Sequence, residues 1–344
     1  MKKRKGLKIF LIILLVLILV PALVLGGLII GGNKYLNDRI VRDEITGDMN
    51  ISEEEIFEGE TVAEEDSVDE MEAVRQEFEQ VQQMEFSQME GVSNILLIGA
   101  DRHGKNENGR SDTMILVSLN HNTGKIHLTS LMRAMYVCIP RTDGHVWSML
   151  NAAYSWGGPN LLIDTIELNF RVQIDHYVVV DFAAFEKAID LLGGVELELT
   201  DSEALYLTRQ ADLPTPSGKS VLDGKRALVF SRIRLIDNDF KRTARQRKVI
   251  TALIKKAKDM DLSTMLALAD EILPLVSTNM TNSEILVYIT RALPMLKNEV
   301  TQRMLPIENE DGKTYYGRIF VGGREMYRVD FVNNIKAFHE FINS

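Results

Sequence analysis

Short apolar runs that end in polar or glycine residues recur between residues 94 and 200, and such runs are typical of buried strands. Three of them lie at residues 95–99, 114–119 and 177–182. Residues 195–199 alternate between apolar and polar side chains, which predicts a strand with one solvent-facing side. Residues 185–192 have helical spacing and end at a glycine pair. Strands that alternate with helices predict an α/β fold, in which helices cover a sheet.

The remaining pattern extends this domain and adds a C-terminal part. Residues 125–131 alternate partly and form a further predicted strand after a turn. The other predicted elements are helices at 161–170, 244–258, 264–272 and 283–295, then a strand or hairpin and a final helix within 314–342. We therefore expect a main domain over residues 91–260 and a C-terminal helical extension with a small terminal unit over residues 261–344.

The N-terminus combines a basic cluster at residues 2–5 with an apolar run at residues 9–32. About 20 apolar residues are enough to cross a bilayer. A cleaved signal peptide has a shorter apolar region, and a lipoprotein signal would need a cysteine near Gly32. We predict a transmembrane signal anchor with a cytoplasmic tail at residues 1–8, because basic residues mark the cytoplasmic side. The protein is then a single-pass cell-membrane protein with an extracellular C-terminal domain.

Acidic residues dominate the following segment, residues 33–90, and apolar residues are few there. Such a segment buries too little apolar surface to offset the entropy lost on ordering. It is therefore interpreted as an extracellular spacer. The spacing over residues 69–85 also permits a polar helix that would act as a stalk.

Composition and charge exclude several kinds of site. The 344 residues carry a formal net charge of −10 at pH 7, whereas a nucleic-acid binder needs a basic surface. Nucleic acid is therefore not an expected partner. The single cysteine, Cys138, excludes intrachain disulfides and cysteine-rich zinc sites. The histidines are scattered, so we expect no zinc site.

The first candidate site lies where the first predicted strand ends. Asp101 follows this strand, a glycine-containing loop comes next, and Asp112 opens the second strand. Ligands of open α/β sheets gather at strand ends, and two carboxylates there can bind Mg²⁺ together with phosphate oxygens. The alternative is that both aspartates are turn residues, or that they pair with Arg102 and Arg110.

The second candidate site is a basic cluster. Arg232 and Arg234 are two residues apart and would share one face of a strand. Arg242, Arg245 and Gln246 would share one face of a helix. Guanidinium groups bind phosphate bidentately, and a helix N-terminus adds further donors. A solvated basic surface or a membrane-surface patch is the alternative interpretation.

Several motifs in order, across residues 94–258, resemble the LytR–CpsA–Psr family of cell-envelope proteins. Any one of these motifs alone would be weak, whereas their order is specific. The motifs are Gly99-Ala100-Asp101, Arg110-Ser111-Asp112-Thr113, Asn151-Ala152-Ala153-Tyr154 with Gly157-Gly158, Leu191-Leu192-Gly193-Gly194-Val195, Leu222-Asp223-Gly224 with Ala227-Leu228, Arg232-Ile233-Arg234, and Asp239-Phe240 with Arg242 and Arg245-Gln246.

This resemblance implies a central mixed β-sheet covered by helices on both faces, and a phosphotransferase activity with Mg²⁺ as cofactor. Members of the family attach teichoic-acid or capsule-type glycopolymers, carried on polyprenyl pyrophosphate, to peptidoglycan. The implied partners are therefore the lipid-linked glycopolymer, peptidoglycan and the membrane.

The resemblance also assigns roles to particular residues. Asp101 and Asp112 are the implied metal ligands. The implied catalytic residues are Asp101, Arg110, Asp112, Arg133, Arg232, Arg234, Asp239 and Arg242. The implied substrate-binding residues are Arg110, Arg133, Arg232, Arg234, Arg242, Gln246 and Asn151.

Two positions depart from the family pattern. Arg133 is followed by Ala134 where the family has aspartate, and Met149 stands where the family has lysine. These departures leave a second hypothesis open, an envelope protein that binds polyprenyl phosphate but has weakened catalysis. A membrane-bound transcriptional attenuator is a third hypothesis, against which the outward topology argues.

Overall fold

The structure of the chain is a computed structural model. The structure describes residues 65–86, 89–101, 109–142, 144–211, 213–237, 239–258, 271, 273–295, 298, 300–307 and 314–344. The predicted tail at residues 1–8, the predicted anchor at residues 9–32 and the predicted helix at 264–272 lie outside these ranges, apart from residue 271. None of the helices within these ranges is long and apolar enough to cross a membrane.

The described residues form two compact units, and the first of them consists of two separated segments of the chain. The first unit contains the described residues of 65–179 and 302–344, and the second contains those of 180–301. The predicted boundaries after residues 90 and 260 therefore do not coincide with the boundaries between units. The C-terminal segment returns to the first unit because its last helix packs against elements near the N-terminus.

The first unit is built on a mixed β-sheet with helices. Its helices are α1 (Val68–Gln83), α2 (Leu150–Phe170) and, at the C-terminus, α8 (Phe331–Asn343). Its strands are β1 (Val92–Asp101), β2 (Arg110–Asn120), β3 (Lys125–Leu131), β4 (Tyr136–Arg141), β5 (Gly144–Met149), β6 (His176–Asp181), β10 (Val300–Leu305), β11 (Tyr316–Val321) and β12 (Arg324–Val329). Strands β6 and β10 cross the boundaries between the units.

Five neighbouring strands of this sheet have the order β10-β3-β2-β1-β6. Strands β1, β2 and β3 are consecutive and antiparallel. The β2–β3 turn is closed by Asn120, whose side-chain oxygen accepts hydrogen bonds from the backbone of Asn122 and Thr123 at 3.1 and 3.0 Å. Separate hairpins are formed by β4 with β5 and by β11 with β12. Helix α2 packs against β4 and β2, and α8 packs against α1, α2 and β2.

The second unit is organised around one short helix. Its helices are α3 (Phe182–Leu191), α4 (Asp201–Ala211), α5 (Gly224–Arg232), α6 (Asp239–Lys258) and α7 (Asn282–Met295). Its strands are β7 (Val195–Leu199), β8 (Gly218–Leu222) and the short β9 (Val276–Thr278), where β7 and β8 form an antiparallel hairpin. Helix α5 packs against α3, α4 and α6, and the side chains of Ala227 and Phe230 on α5 are buried.

The predicted α/β class is confirmed, since a mixed sheet is combined with helices. The alternation at 195–199 corresponds to β7, in which buried and exposed residues alternate. Helix α2 begins 11 residues before the prediction, which started at residue 161. Gly157 and Gly158 have non-helical backbone angles there, with φ of −138° and 65°. These glycines and Pro159 interrupt the helical pattern in the sequence, although the helix continues on both sides.

Helix α1 lies in the segment interpreted as a spacer, and it belongs to the first unit. The predicted polar helix over 69–85 corresponds to α1, but this helix is packed rather than free-standing. It contacts α8, β12 and α2, and it buries Val74, Phe78 and Val81. Because acidic residues surround these apolar ones, the composition of the segment does not reveal the buried apolar stripe.

Truncating a buried residue of α1 is therefore expected to destabilise the first unit. We expect Val74→Ala to lower the free energy of unfolding by about 2 kcal/mol, because two buried methyl groups are lost. The matched control is Val68→Ala on the same helix, since Val68 is 65% exposed and Val74 is 1% exposed. Urea unfolding of both variants checks this, and equal midpoints would mean that α1 is not part of the folded unit.

Candidate functional site

The loop end of the β1–β2 hairpin carries the first group of predicted site residues. Gly99 pairs with Thr113 and Ala100 pairs with Ser111, so Asp112 is the extra residue of a β-bulge. A bulge re-aims the side chain of the strand that contains it. Asp101 is the last residue of β1 and pairs through its backbone with Arg110, the first residue of β2. The bulge therefore places Asp112 at the same end of the hairpin as both of these residues.

A partly buried ion pair joins Asp112 to Arg133. The guanidinium Nη1 of Arg133 donates to Oδ1 of Asp112 at 2.7 Å, and the two side chains are 6% and 12% exposed. Burial removes the screening that makes surface ion pairs weak. The structure therefore joins a predicted phosphate-binding arginine to a predicted metal ligand.

The segment that carries Arg133 lies between β3 and β4 and is held by backbone hydrogen bonds. The carbonyl oxygen of Arg133 accepts from the backbone N–H of Asn151 at 3.2 Å, and that of Met135 accepts from Leu150 at 3.0 Å. The carbonyl of Ala134 accepts from the N–H of Tyr327 at 2.8 Å. The start of α2 and strand β12 thus fix the backbone on which Arg133 is mounted.

The first turn of α2 supplies further polar groups. Asn151 is 1% exposed, and its side-chain oxygen has no hydrogen-bond partner in the described structure. The Ser155 hydroxyl donates to the carbonyl of Gly109 at 2.7 Å, which ties α2 to the start of β2. A buried oxygen without a donor is costly unless a ligand or water satisfies it. Asn151 therefore fits its predicted substrate-binding role.

The two departures from the family pattern are both buried. Ala134 is 9% exposed, and Met149 is 4% exposed. Met149 is the last residue of β5 and pairs with the buried Tyr136. The neutral side chains are therefore part of the core around the Arg133 segment, where an unpaired charge would be costly to bury.

The second group of predicted residues lies in the second unit. Arg232 and Arg234 are exposed, and the guanidinium carbon of Arg232 lies 4.7 Å from the ring centroid of Phe182. The prediction that both arginines lie on a strand was wrong, because Arg232 ends helix α5 and Arg234 follows it. Asp223 caps this helix, since its carboxylate accepts a hydrogen bond from the backbone N–H of Arg226 at 2.8 Å.

Helix α6 carries the remaining predicted residues. Arg242 and Gln246 lie four residues apart on this helix, as the prediction of a shared helix face requires, and both are buried, at 3% and 8% exposure. Asp239 opens the helix, and its side chain, like that of Asp101, lies outside the described part of the structure. The predicted site residues thus form two groups, one in each unit.

Arg245 has a role that the sequence did not indicate. Its guanidinium pairs with Glu203 of α4 and with Asp237 of the loop between α5 and α6. Burial raises the pKa of Glu203, but hydrogen bonds from Thr200 and Arg245 outweigh it and the pKa is lowered. Neither carboxylate lies in a recognisable motif, so only the spacing of Arg245 from Arg242 could have drawn attention to this group.

Comparison with known proteins gives the family. The model of the LytR_cpsA_psr family matches residues 58–321. The polyisoprenyl-teichoic acid–peptidoglycan teichoic acid transferase TagU of Enterococcus faecalis is 36% identical over 193 residues, which cover 54% of this chain and 60% of the relative. The chain thus spans less than two thirds of the length of this curated relative.

Solved structures support the same fold. Bacillus subtilis TagT has a TM-score of 0.57 and 22% identity, with 76% of this chain and 93% of that chain covered. TagT with bound octaprenyl pyrophosphate lipid has a TM-score of 0.54 and 22% identity, with 76% of this chain and 94% of that chain covered. At this identity the likeness concerns the fold alone. Because the family model matches most of its length, the chain belongs to the LytR–CpsA–Psr family.

Proposed function

We propose that this protein is a membrane-anchored enzyme that transfers a teichoic-acid or capsule-type glycopolymer from a polyprenyl-pyrophosphate carrier to peptidoglycan. The observation that carries this proposal is the partly buried pair of Arg133 with Asp112, the residue of the β-bulge. This pair brings a cation that can bind phosphate next to a carboxylate, and both side chains are largely shielded from solvent. Transferases named for teichoic acid and peptidoglycan among the relatives support the choice of substrates.

The residues of the first unit also fit a bound Mg²⁺. No group of three or more His, Cys, Asp or Glu side chains in the described ranges could hold a metal by itself. Mg²⁺ needs only one or two carboxylates, however, when phosphates and water supply its other oxygens. Asp112 offers a carboxylate, and the buried side-chain oxygen of Asn151 has no donor within the described structure. Asp112 and Asp101 would hold the ion, which would neutralise charge on the pyrophosphate.

The proposed reaction is a phosphoryl transfer from the lipid carrier to a hydroxyl group of peptidoglycan. A hydroxyl oxygen of peptidoglycan bonds to the phosphorus that carries the glycopolymer. The bond from this phosphorus to the bridging oxygen breaks, polyprenyl phosphate leaves with the electron pair, and the hydroxyl proton passes to solvent. Such transfers depend on positioning and charge neutralisation more than on a protein nucleophile. Arg110, Arg133, Arg232, Arg234 and Arg242 would supply the positive charge, with Asp239 and Gln246 in support.

The location of this reaction is also part of the proposal. Residues 9–32 are apolar enough in sequence to anchor the chain, and residues 2–5 are basic. The domain would then face the outer side of the membrane, where peptidoglycan is found. A lipid-linked substrate in the same membrane would meet the enzyme by lateral diffusion.

A transfer assay tests the proposal. The full chain, in detergent, is mixed with a polyprenyl-pyrophosphate glycopolymer and peptidoglycan fragments, with Mg²⁺ or with a chelator. We expect transfer that requires Mg²⁺ and that falls about 100-fold in Arg232→Ala, because one charge-stabilising donor is lost. Arg209→Ala is the matched control, since Arg209 is an exposed arginine of α4 in the same unit.

Two other outcomes are informative. Tight binding of the lipid substrate without turnover would favour the alternative hypothesis, in which Ala134 and Met149 have weakened catalysis. Their burial gives this alternative a physical basis, because neither position carries a charge toward a ligand. Absence of both binding and transfer in the wild-type protein would contradict both envelope hypotheses.

A further inference from the structure

A short loop connects the two arginine-bearing helices of the second unit, and it is fixed from one side by a single side chain. Arg245 of α6 donates from Nη1 to the backbone carbonyl of Ile233 at 3.1 Å and to Oδ1 of Asp237 at 3.0 Å. Its Nη2 contacts the second carboxylate oxygen of Asp237. Ile233 is the residue between Arg232 and Arg234, so Arg245 binds the backbone at the point where both arginines are attached.

The same guanidinium is anchored from the opposite direction. Its Nε donates to Oε1 of Glu203 at 2.8 Å, and Oε2 of Glu203 accepts from the backbone N–H of Thr200 at 2.9 Å. The Arg245 and Glu203 side chains are 5% and 6% exposed. The guanidinium therefore bridges helix α4, helix α6 and the loop, with Arg245 and Glu203 buried and the Asp237 side chain 26% exposed.

We propose that Glu203, Arg245 and Asp237 form a clamp that positions Arg232 and Arg234 for binding a pyrophosphate group. This inference rests on the proposed function. Arg245 acts through the loop backbone and is a positioning residue, because its own donors are already occupied by protein acceptors. A planar guanidinium with several donors suits this task, whereas a lysine has a single flexible ammonium.

The clamp is expected to lower the entropic cost of binding the pyrophosphate. Arg232 and Arg234 have long, exposed side chains, and a mobile backbone would add to the entropy that binding must overcome. Holding the carbonyl of Ile233 removes part of that cost in advance. The ring of Phe182 adds a contact below the guanidinium of Arg232.

Asp237→Asn separates a positioning role from a purely electrostatic one, because the two roles predict opposite changes in the affinity for pyrophosphate. Removing a negative charge from the arginine loop would tighten anion binding if charge alone mattered. Asparagine replaces one of the two carboxylate oxygens that Arg245 contacts with an NH2 group, so one contact is lost, and a loosened loop would weaken anion binding. We expect octaprenyl pyrophosphate, added in detergent micelles to the full chain, to bind about tenfold more weakly to Asp237→Asn than to wild type.

Arg245→Lys tests the same clamp without any change in net charge, and it is also expected to bind the lipid about tenfold more weakly. Glu196→Gln, at an exposed position of β7, is the matched control for loss of one carboxylate. Thermal unfolding is measured for every variant, and binding is measured at a temperature at which each is folded. A merely structural network would lower the unfolding temperature and leave the dissociation constant unchanged.

The outcomes distinguish the clamp from the function on which it rests. Wild-type binding together with weaker binding by both variants supports the clamp. Wild-type binding with equal or tighter binding by Asp237→Asn overturns the clamp and leaves the proposed function intact. A wild-type protein that does not bind octaprenyl pyrophosphate at all overturns the proposed function, and the clamp with it.

Discussion

Asp112→Ala is expected to destabilise the first unit by about 4 kcal/mol, because it removes a carboxylate that the buried Arg133 guanidinium binds. The two side chains are 12% and 6% exposed, and the pair is joined at 2.7 Å. Water is therefore poorly placed to replace the lost partner. A loss of this size lowers the midpoint of thermal unfolding by roughly 10 °C in a protein of this size. Transfer activity should be lost as well, since Asp112 is a proposed Mg²⁺ ligand.

Asp112→Asn separates these two effects. An asparagine oxygen can still accept a hydrogen bond from Arg133, so most of the stability should be retained. The negative charge that would hold Mg²⁺ is lost, and activity should fall without a matching fall in the unfolding temperature. Calorimetry and the transfer assay, run on both variants, check this. An Asp112→Ala protein that melts with the wild type would show that the pair contributes little to folding.

A double-mutant cycle with Arg133→Met gives the coupling between the two side chains directly. Removing both charges together should cost less than the sum of the single changes, since each single change already removes the interaction between them. Additive single changes would mean that the two residues act independently, contrary to the geometry.

The pattern of apolar and polar residues predicted strands β3 and β7 correctly. Strand β3 was predicted with the bounds it has, and β7 was predicted from its alternation. The burial of β7 follows the two-residue period of a strand, which places alternate side chains on opposite faces, whereas β3 is buried at every position after Lys125. The hairpin of β4 and β5 was not predicted, because its outer residues are polar and its alternation is interrupted at Pro140.

The arginine cluster illustrates a different limit. A spacing of two residues is compatible with a strand, and the few residues around Arg232 do not by themselves distinguish a strand from a helix. The helix that ends at Arg232 depends on the local cap at Asp223 and on the close approach of Gly224 to α3, and only the second of these is a matter of tertiary structure. Likewise, Glu203 is 42 residues from Arg245, and its role follows only from the folded chain.

Gly224→Ala is expected to disrupt the second unit, because a methyl group at this position has no room. A Cβ atom on Gly224 would lie 2.2 Å from the backbone carbonyl oxygen of Glu186 and 2.7 Å from its carbonyl carbon. These are backbone atoms of α3, so they cannot turn away as a flexible side chain would. The N–H of Gly224 also donates to the carboxylate of Asp190 at 2.8 Å, which holds the two helices at this separation. Helix α5 would have to move away from α3.

That movement carries a large cost because α5 is the central helix of its unit. Displacing it loosens the packing of Ala227 and Phe230 against the neighbouring helices. We expect a loss of about 3 kcal/mol in the free energy of unfolding, at the upper end of the usual range for overpacking. Arg232 lies at the far end of the same helix, so binding of octaprenyl pyrophosphate should weaken even where the protein remains folded.

Gly317→Ala is the matched control for the change of glycine to alanine. Gly317 lies in β11, and the one neighbour that a Cβ there would meet within the described ranges is the Arg328 side chain, at an ordinary 3.5 Å. Urea unfolding should therefore place this variant close to wild type and Gly224→Ala well below it. If the two variants unfold at the same urea concentration, α3 and α5 are not in the close contact described. Retained stability with weakened lipid binding would instead mean that α5 shifts at little cost, and that its position serves the arginines more than the core.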